Sequence, residues 1–444
     1  MRFLFLSETG DGLGLALRLK ERGHTVGVSI KDRRCKANYD GLLYKPSDWS
    51  GEFLTKDTIV VFDSNGGGKT GDRLRAQGYA VFVGSTIADQ LEYDRDVAFE
   101  YMSQVGIKLP NYETFHDWQS ARDFVKRNDE KWVFKPSGKL VKDVAIKSYV
   151  ASDAEDMIRM LDYYESIANK PPDFELQEFH EGVAISTEGW FNGECFMRPF
   201  NHTVERKQIM NDNLGPSGGC SGNLVWAWRT GTNHVIEEGI LKLEPVLREY
   251  GYVGPIDLNA IVNTEGVWAL ELTPRFGFDA LPAFLEVLDE DPAELIASLA
   301  RLEHPQTLRM KDGFGSALRV NVPPYPSEQF AHAGGVPIRG FDAEDRPHLF
   351  FYDVELNEKT QLVTSPAFGA VVAITGYGNT PTSAFQGPYR LAKQAKIPDK
   401  MYRTDLEAVL QGDLARFERQ VQIREKGYPP VMNPEGEEAP ALSQ

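Results

Sequence analysis

Residues 254–277 constrain this chain more than any other stretch. They read Gly-Pro-Ile-Asp257-Leu-Asn259-Ala-Ile-Val-Asn-Thr-Glu-Gly266-Val-Trp-Ala-Leu-Glu271-Leu-Thr273-Pro-Arg275-Phe-Gly277. Two apolar, β-branched runs flank Asn263-Thr-Glu-Gly266, a hairpin signature. A three-residue loop over 264–266, with Gly266 left-handed, sets Asn259 opposite Glu271 and Asp257 opposite Thr273. Side chains alternate along a strand, so all four share one face. Asp257, Glu271 and Thr273 then suit Mg²⁺ (or Mn²⁺), a cation usually held by one or two carboxylates plus substrate phosphates. Arg275 follows at the strand end, where its guanidinium fork can hold phosphate oxygens. The competing reading is a solvated hairpin face with an incidental acidic pair. A two-residue loop would shift the register and break the set.

At 444 residues the chain is too long for one ordinary core. The formal net charge of −17 argues against a nucleic-acid surface, which needs basic stripes. It leaves room for a small anionic substrate held by local Lys and Arg. Cys35, Cys195 and Cys220 are too scattered for a metal pattern and fit a reducing cytoplasm. No apolar run reaches the length of a membrane span, and the apolar start ends at Ser7-Glu8, too short for a signal peptide.

Strands are expected at 2–6, 24–30, 58–62 and 79–83, with a helix at 15–21. This alternation predicts a parallel, Rossmann-like sheet. A helix at 94–105 follows, then strands at 131–135 and 145–150 and a helix at 154–164. Antiparallel strands are expected at 174–179, 184–191 and 195–200, and a mobile glycine loop at 215–222. One helix is expected over 234–250 and another at 292–300. Short strands then occupy 316–322, 348–355, 361–365 and 370–375, before a helix at 384–396. Beyond 410 the chain is charged and Pro-rich, and 433–444 reads as disordered.

Lys135 ends a strand beside Pro136-Ser-Gly, where it can reach a nucleotide phosphate; a plain surface lysine is the alternative. Glu175-Leu-Gln177-Glu178-Phe179-His180 ends another strand with polar side chains and free backbone groups, which suits adenine. The loop 215–222 has four glycines, Gly218 and Gly219 among them, and Lys207 lies just upstream. Such backbone N–H groups approach an anion closely. Gly66-Gly-Gly-Lys69-Thr70 partly matches a P-loop, but Asp63 stands at the first glycine position. A phosphate-cradling turn or a plain surface turn stay open there. Gly10-x-Gly12-x-Gly14 misses the dinucleotide fingerprint, with Leu15 at its third glycine.

Taken in order, these pieces resemble the ATP-grasp ligases, and among them the phosphoribosylamine–glycine ligase (glycinamide ribonucleotide synthetase) family of purine biosynthesis. The likeness rests on residues 84–92 with the helix from Arg95 and Gly106-Ile-x-x-Pro110. It continues in Val133-Phe-Lys135, Leu176-Gln177-Glu178-Phe179-x-Glu181-Gly182 and Lys207 with the loop 214–222. Gly251-Tyr-x-Gly254, Leu270-Glu271-Leu-Thr273, Arg275-Phe-Gly277 and Met401-Tyr-Arg-x-Asp405 complete it. Arg95 stands where the family has a nucleotide-contacting Lys.

There are departures. Thr273 replaces one metal ligand, Ala184 a ribose-binding Glu, and Ser137-Gly-Lys-Leu-Val-Lys142 a glycine-rich flap. The two segments that contact the phosphosugar amine in the family are Gly12-Leu-Gly-Leu-Ala16 and Ser64-Asn-Gly-Gly-Gly-Lys69-Thr70 here. The ATP half is kept better than the amine half.

The resemblance implies a mixed α/β and α+β fold. It places a Rossmann-like domain at 1–88, an ATP-grasp domain with antiparallel sheets at 89–312, a small β-rich domain at 313–410 and a tail at 411–444. It implies an ATP- and Mg²⁺-dependent cytoplasmic enzyme that joins glycine or another small amino-acid carboxylate to a small-molecule amine through an acyl phosphate. Nucleotide contacts would come from Arg95, Lys135, Gln177, Glu178, Phe179, His180 and Lys207. Arg275 and Lys207 would serve the transferred phosphoryl group; Lys69, Thr70, Gly218, Gly219 and Arg275 would hold substrate. Three other readings stay open: the same chemistry on a different amine, a P-loop NTPase using Lys69 and Thr70, and a nucleotide-binding protein without catalysis.

Overall fold

The computed structural model describes residues 1–136, 146–168, 171, 173–229, 231–327 and 332–426. Residues 137–145, the expected flap and strand start among them, and the tail from 427 lie outside the described residues.

The N-terminal sheet is parallel and holds β1 (Arg2–Ser7), β2 (Thr25–Ile30), β3 (Thr58–Phe62) and β4 (Ala80–Phe82) in the order β2-β1-β3-β4. Phe3, Leu4 and Phe5 in β1, like every residue of β3, are buried, as a sheet covered on both faces requires. Helices α1 (Leu13–Glu21), α2 (Gly68–Ala76), α3 (Thr86–Tyr93) and α4 (Arg95–Gln104) follow the strands. The glycines of the weak dinucleotide signal answer to packing. A Cβ on Gly12 would lie 2.3 Å from the Asp63 side chain, and one on Gly14 would lie 2.5 Å from the Phe350 ring.

A second, antiparallel sheet contains β5 (Tyr112–Phe115), β6 (Trp132–Pro136), β7 (Tyr149–Val150) and β8 (Phe174–Glu178), ordered β5-β8-β6-β7. Its core is aromatic: Phe115, Trp118, Phe134 and Phe174 stack with centroids 4.8–6.4 Å apart.

The large sheet takes β9 (Val183–Asn192), β10 (Phe200–Gln208), β11 (Ser217–Trp228), β12 (Val253–Asn263), β13 (Gly266–Thr273), β14 (Phe314–Asn321), β15 (Leu349–Phe351) and β18 (Ala370–Gly378). Its order is β13-β12-β9-β10-β11-β14-β18-β15, and β16 (Val354–Leu356) with β17 (Leu362–Thr364) makes a separate ribbon. Strands from the segment 313–410 therefore extend the same sheet that carries the Asp257–Thr273 hairpin.

Four expectations need correction. The strand expected at 195–200 begins at Phe200, because Asn192 turns the chain by accepting from the N–H groups of Glu194 and Cys195. The glycine run 215–222 is mostly the start of β11. The helix expected over 234–250 is broken into His234–Glu238, a 3₁₀ turn Ile240–Leu243 and Glu244–Glu249, with Pro245 opening the last piece. Residues 411–426 do not belong to a tail: Leu406–Lys426 is a helix whose Leu406, Leu410, Leu414, Phe417 and Val421 are buried. Each such side chain contributes roughly 1.5–3 kcal/mol on burial.

Candidate active site

The hairpin reaches the expected pairing by another route. Asn263 pairs with Gly266, so the loop has two residues, Thr264 and Glu265, and not three. Unaided, that loop would set Asn259 against Leu270. A bulge restores the count: Ala260 faces Ala269, yet Asn259 faces Glu271 and Asp257 faces Thr273. Gly266 adopts φ of +141°, open to glycine alone at little cost. Asn259 Nδ2 lies 3.4 Å from Thr273 Oγ1, which ties the two strands on this face.

Alternation on the neighbouring strands puts more polar groups on the same face. Asp257 lies opposite Glu188, and Asn259 opposite Ser186. Asn201 faces Glu188, and Thr203 faces Ser186. Glu205 and Lys207 continue that row on β10. Ser186 Oγ donates to Asp257 Oδ1, and Trp190 Nε1 donates to Glu188 Oε1 at 2.9 Å. Burial raises the Asp257 carboxyl to about 6, helped by Glu205 and Glu271 and opposed by Ser186 and Arg275. Burial, with Asp257 beside it, also holds Glu188 well above its ordinary value. Sequence reasoning missed Ser186, Glu188, Asn201 and Glu205. The available signal was a polar side chain at every second position of two long strands.

At the mouth of this face three cations meet three carboxylates, Glu175, Glu205 and Glu271. Lys207 Nζ lies 3.4 Å from Glu205 Oε1 and 4.0 Å from Glu271 Oε1. Lys135, at the end of β6, faces Glu175 on β8. Arg95, at the start of α4, places Nη1 3.5 Å from Glu175 Oε2. Neighbouring protein partly desolvates Glu271, whose side chain stays about half exposed, but Lys207, Lys135, Arg95 and Arg275 outweigh that and hold its carboxyl below its ordinary value. Burial first, then Arg95, lowers Lys135 to about 8. A cavity of about 110 Å³ lined by Glu92, Arg95, Phe99, Glu271, Thr273 and Arg275 opens beside them.

The remaining expected residues sit differently. Glu178 donates its N–H to Asn111 O at 2.8 Å and Phe179 to Lys131 O at 3.1 Å, so neither backbone donor is free, contrary to expectation. Gln177 Nε2 is buried without a hydrogen-bond partner among the described residues. The His180 ring stacks on Trp268 with centroids 3.6 Å apart. Gly218 O accepts from Tyr325 OH, and a Cβ on Gly219 would meet nothing within 4 Å. Arg275 does not present an open fork: Glu92 holds it through Nε at 3.0 and 3.1 Å and Nη2 at 2.8 Å.

The P-loop-like turn is also already filled. Gly66 N–H and Gly68 N–H donate to Asp89 Oδ1 and Oδ2 at 2.7 and 2.8 Å. A Cβ on Gly68 would lie 2.3 Å from Ser85 O, so close packing of α2 on α3 explains that glycine. Lys69 is exposed and Thr70 half-buried.

Among the described residues, no three His, Cys, Asp or Glu side chains converge as a metal cage. Two carboxylates with an amide and a hydroxyl fit instead a cation that keeps water and phosphate oxygens, as Mg²⁺ does. No described helix is long and apolar enough to cross a membrane.

No family model matches the chain. It is 25% identical over 346 residues to phosphoribosylamine–glycine ligase of Streptococcus pneumoniae, covering 76% of this chain and 80% of that one. The crystal structure of phosphoribosylamine–glycine ligase from Thermotoga maritima superposes with a TM-score of 0.71 at 20% identity, covering 91% of this chain and 100% of that one. The biotin carboxylase domain of Hydrogenobacter thermophilus 2-oxoglutarate carboxylase, solved with ADP and magnesium, superposes with a TM-score of 0.60 at 10% identity over 96% of this chain and 98% of that one. The ATP-grasp architecture expected from the motifs is the architecture found, and the resemblance to phosphoribosylamine–glycine ligases holds in sequence and in structure.

Proposed function

We propose that the chain is an ATP-dependent carboxylate–amine ligase that works through an acyl phosphate. The observation that carries this is the cluster in which Lys207 meets Glu205 and Glu271 on the large sheet while Arg95 and Lys135 meet Glu175 on the small one, with Arg95 and Glu271 lining one cavity. A triphosphate brings about four negative charges, and such a cluster neutralises them without rearranging. The likeness to phosphoribosylamine–glycine ligases supports the same reading.

In the proposed reaction a carboxylate oxygen of the first substrate attacks the γ-phosphorus and ADP leaves. An amine then attacks the acyl carbon, phosphate leaves, and the amine loses a proton. Lys135 and Lys207 offset charge on the phosphoryl group while it moves, and Arg95 anchors the nucleotide. Glu271 and Asp257, with Asn259 and Thr273 beside them, would hold Mg²⁺ or Mn²⁺, which supplies further charge neutralisation when bound. The loop leading into β11, a strand that Tyr325 holds at its second residue, Gly218, would shield the acyl phosphate from water. Glycine or another small amino acid is the carboxylate substrate we favour.

The P-loop reading loses its basis, since Asp89 occupies the backbone donors that a phosphate would need. The test of the ligase reading is amine-independent. Purified protein is incubated with ATP, Mg²⁺, hydroxylamine and each of a set of small amino acids. Hydroxamate formation with one of them, lost without Mg²⁺, supports the reading; absence of hydroxamate with all of them contradicts it.

A further inference from the structure

Side chains alternate along β10, and its two faces have different partners. Asn201, Thr203, Glu205 and Lys207 share the face described above. On the opposite face the His202 ring lies 4.9 Å from the ring of Phe417, and the Arg206 guanidinium meets Asp413. Both partners belong to the helix Leu406–Lys426. That helix therefore backs the strand that presents Lys207.

Lys207 sits at a break in its own ladder. The register steps from Arg206 opposite Gly222 to Gln208 opposite Ser217, so residues 218–221 stand against Lys207 alone. Extra residues on one strand disrupt the pairing locally. Past the break the strand is held by the segment Met401-Tyr-Arg-Thr-Asp405. Arg403 is fully buried, and its Nη1 donates to Gln208 O at 3.2 Å and to Asn213 Oδ1 at 3.0 Å. Asp405 accepts from the same guanidinium at 2.9 and 2.7 Å and from the Asp212 N–H at 2.9 Å. Thr404 N–H donates to Asn211 Oδ1 at 3.0 Å, and Asn211 Nδ2 donates to Thr404 Oγ1 at 2.7 Å. Met401 exchanges backbone bonds of 2.7 and 2.9 Å with Asn321, the last residue of β14. Both chain neighbours of Lys207 are thus fastened to the segment 401–413: Arg206 by Asp413, and Gln208 by Arg403.

We propose, resting on the ligase reading, that Arg403 is a positioning residue for Lys207. By holding the Gln208 carbonyl it aims the Lys207 ammonium at the phosphates of the bound nucleotide. A cation held in place before the nucleotide arrives interacts with it at no cost in rearrangement. Nucleotide affinity then depends on a segment that contributes no ligand contact of its own.

The test is a double-mutant cycle on the full chain. Binding of a non-hydrolysable ATP analogue with Mg²⁺ is measured by calorimetry. Arg403→Lys keeps a charge beside Asp405 but loses the guanidinium fork. Asn211→Ala, at an exposed position, loosens the same segment with less risk to folding. Each should weaken binding by roughly two- to tenfold, the range for one hydrogen bond. In a Lys207→Met background neither should weaken it further. A purely structural loss would lower affinity equally in both backgrounds, so non-additivity reports positioning. Equal losses in the two backgrounds, or no loss in either variant, overturn the proposal. Lys207→Met alone separates the two claims. If it leaves affinity at the wild-type value, the phosphate contact fails and the ligase reading loses its support. If it weakens binding while the cycle is additive, the role of Arg403 alone fails.

Discussion

Glu92 and Arg275 form a clasp in which both carboxylate oxygens meet the guanidinium, at 2.8–3.1 Å, and each side chain is less than a fifth exposed. The clasp joins α3 to the end of β13 and so fixes the rim of the cavity beside Glu271. Removing one partner leaves the other charge largely buried. Glu92→Ala should therefore cost about 3 kcal/mol of stability, read as a lower urea midpoint. A change below about 0.5 kcal/mol would show the pair to be dispensable.

Asp63 gives a pH signature. Burial, then Asp11, raises its carboxyl from 3.8 to about 6 in the folded chain. A folded-state value above the unfolded one means folding takes up a proton between the two. That contribution is present below about pH 4 and is lost as pH rises through 6. Asp63→Asn cannot titrate, so its stability relative to wild type should improve by up to about 3 kcal/mol between pH 4 and pH 7. A difference that stays flat over that range would contradict the assignment.

Lys135 and Lys207 are the proposed phosphate contacts from the small and large sheets. Either residue changed to Met should weaken ATP binding by roughly ten- to a hundredfold, measured by calorimetry. Because Lys135 is lowered to about 8, wild-type affinity should also fall as pH rises beyond 8, and Lys135→Met should remove that dependence. Unchanged affinity in both variants would take these residues out of the site.

Lys69→Ala should leave KM for ATP and for the amine within about twofold of wild type, since Asp89 already fills the neighbouring cradle. Loss of ATP turnover in this variant would restore the P-loop reading.

The sequence showed the parallel N-terminal sheet, which follows from local periodicity, and reached the pairing of Asp257 and Asn259 with Thr273 and Glu271 on a turn length the structure does not have. It hid how the pairing arises: the turn is one residue shorter than expected, and a bulge near Leu270 compensates. Bulges depend on packing of neighbouring strands and leave no short-range signal. The helix Leu406–Lys426 was obscured by its charged composition, although its apolar residues recur every three or four positions. The filled P-loop-like turn and the contact of Arg403 with Gln208 were invisible for another reason. Asp89 reaches Gly66 and Gly68 across more than twenty residues, and Arg403 reaches Gln208 across 195. Only tertiary structure brings those groups together.

The central claim is that the carboxylate of the first substrate attacks the γ-phosphorus. Its most direct test supplies the amino acid that yields hydroxamate, labelled with ¹⁸O in both carboxylate oxygens, together with ATP, Mg²⁺ and hydroxylamine. The released phosphate is then read by ³¹P NMR. The account predicts one ¹⁸O atom in each phosphate, and loss of that signal in Glu271→Gln. Phosphate released from ATP without ¹⁸O would contradict it.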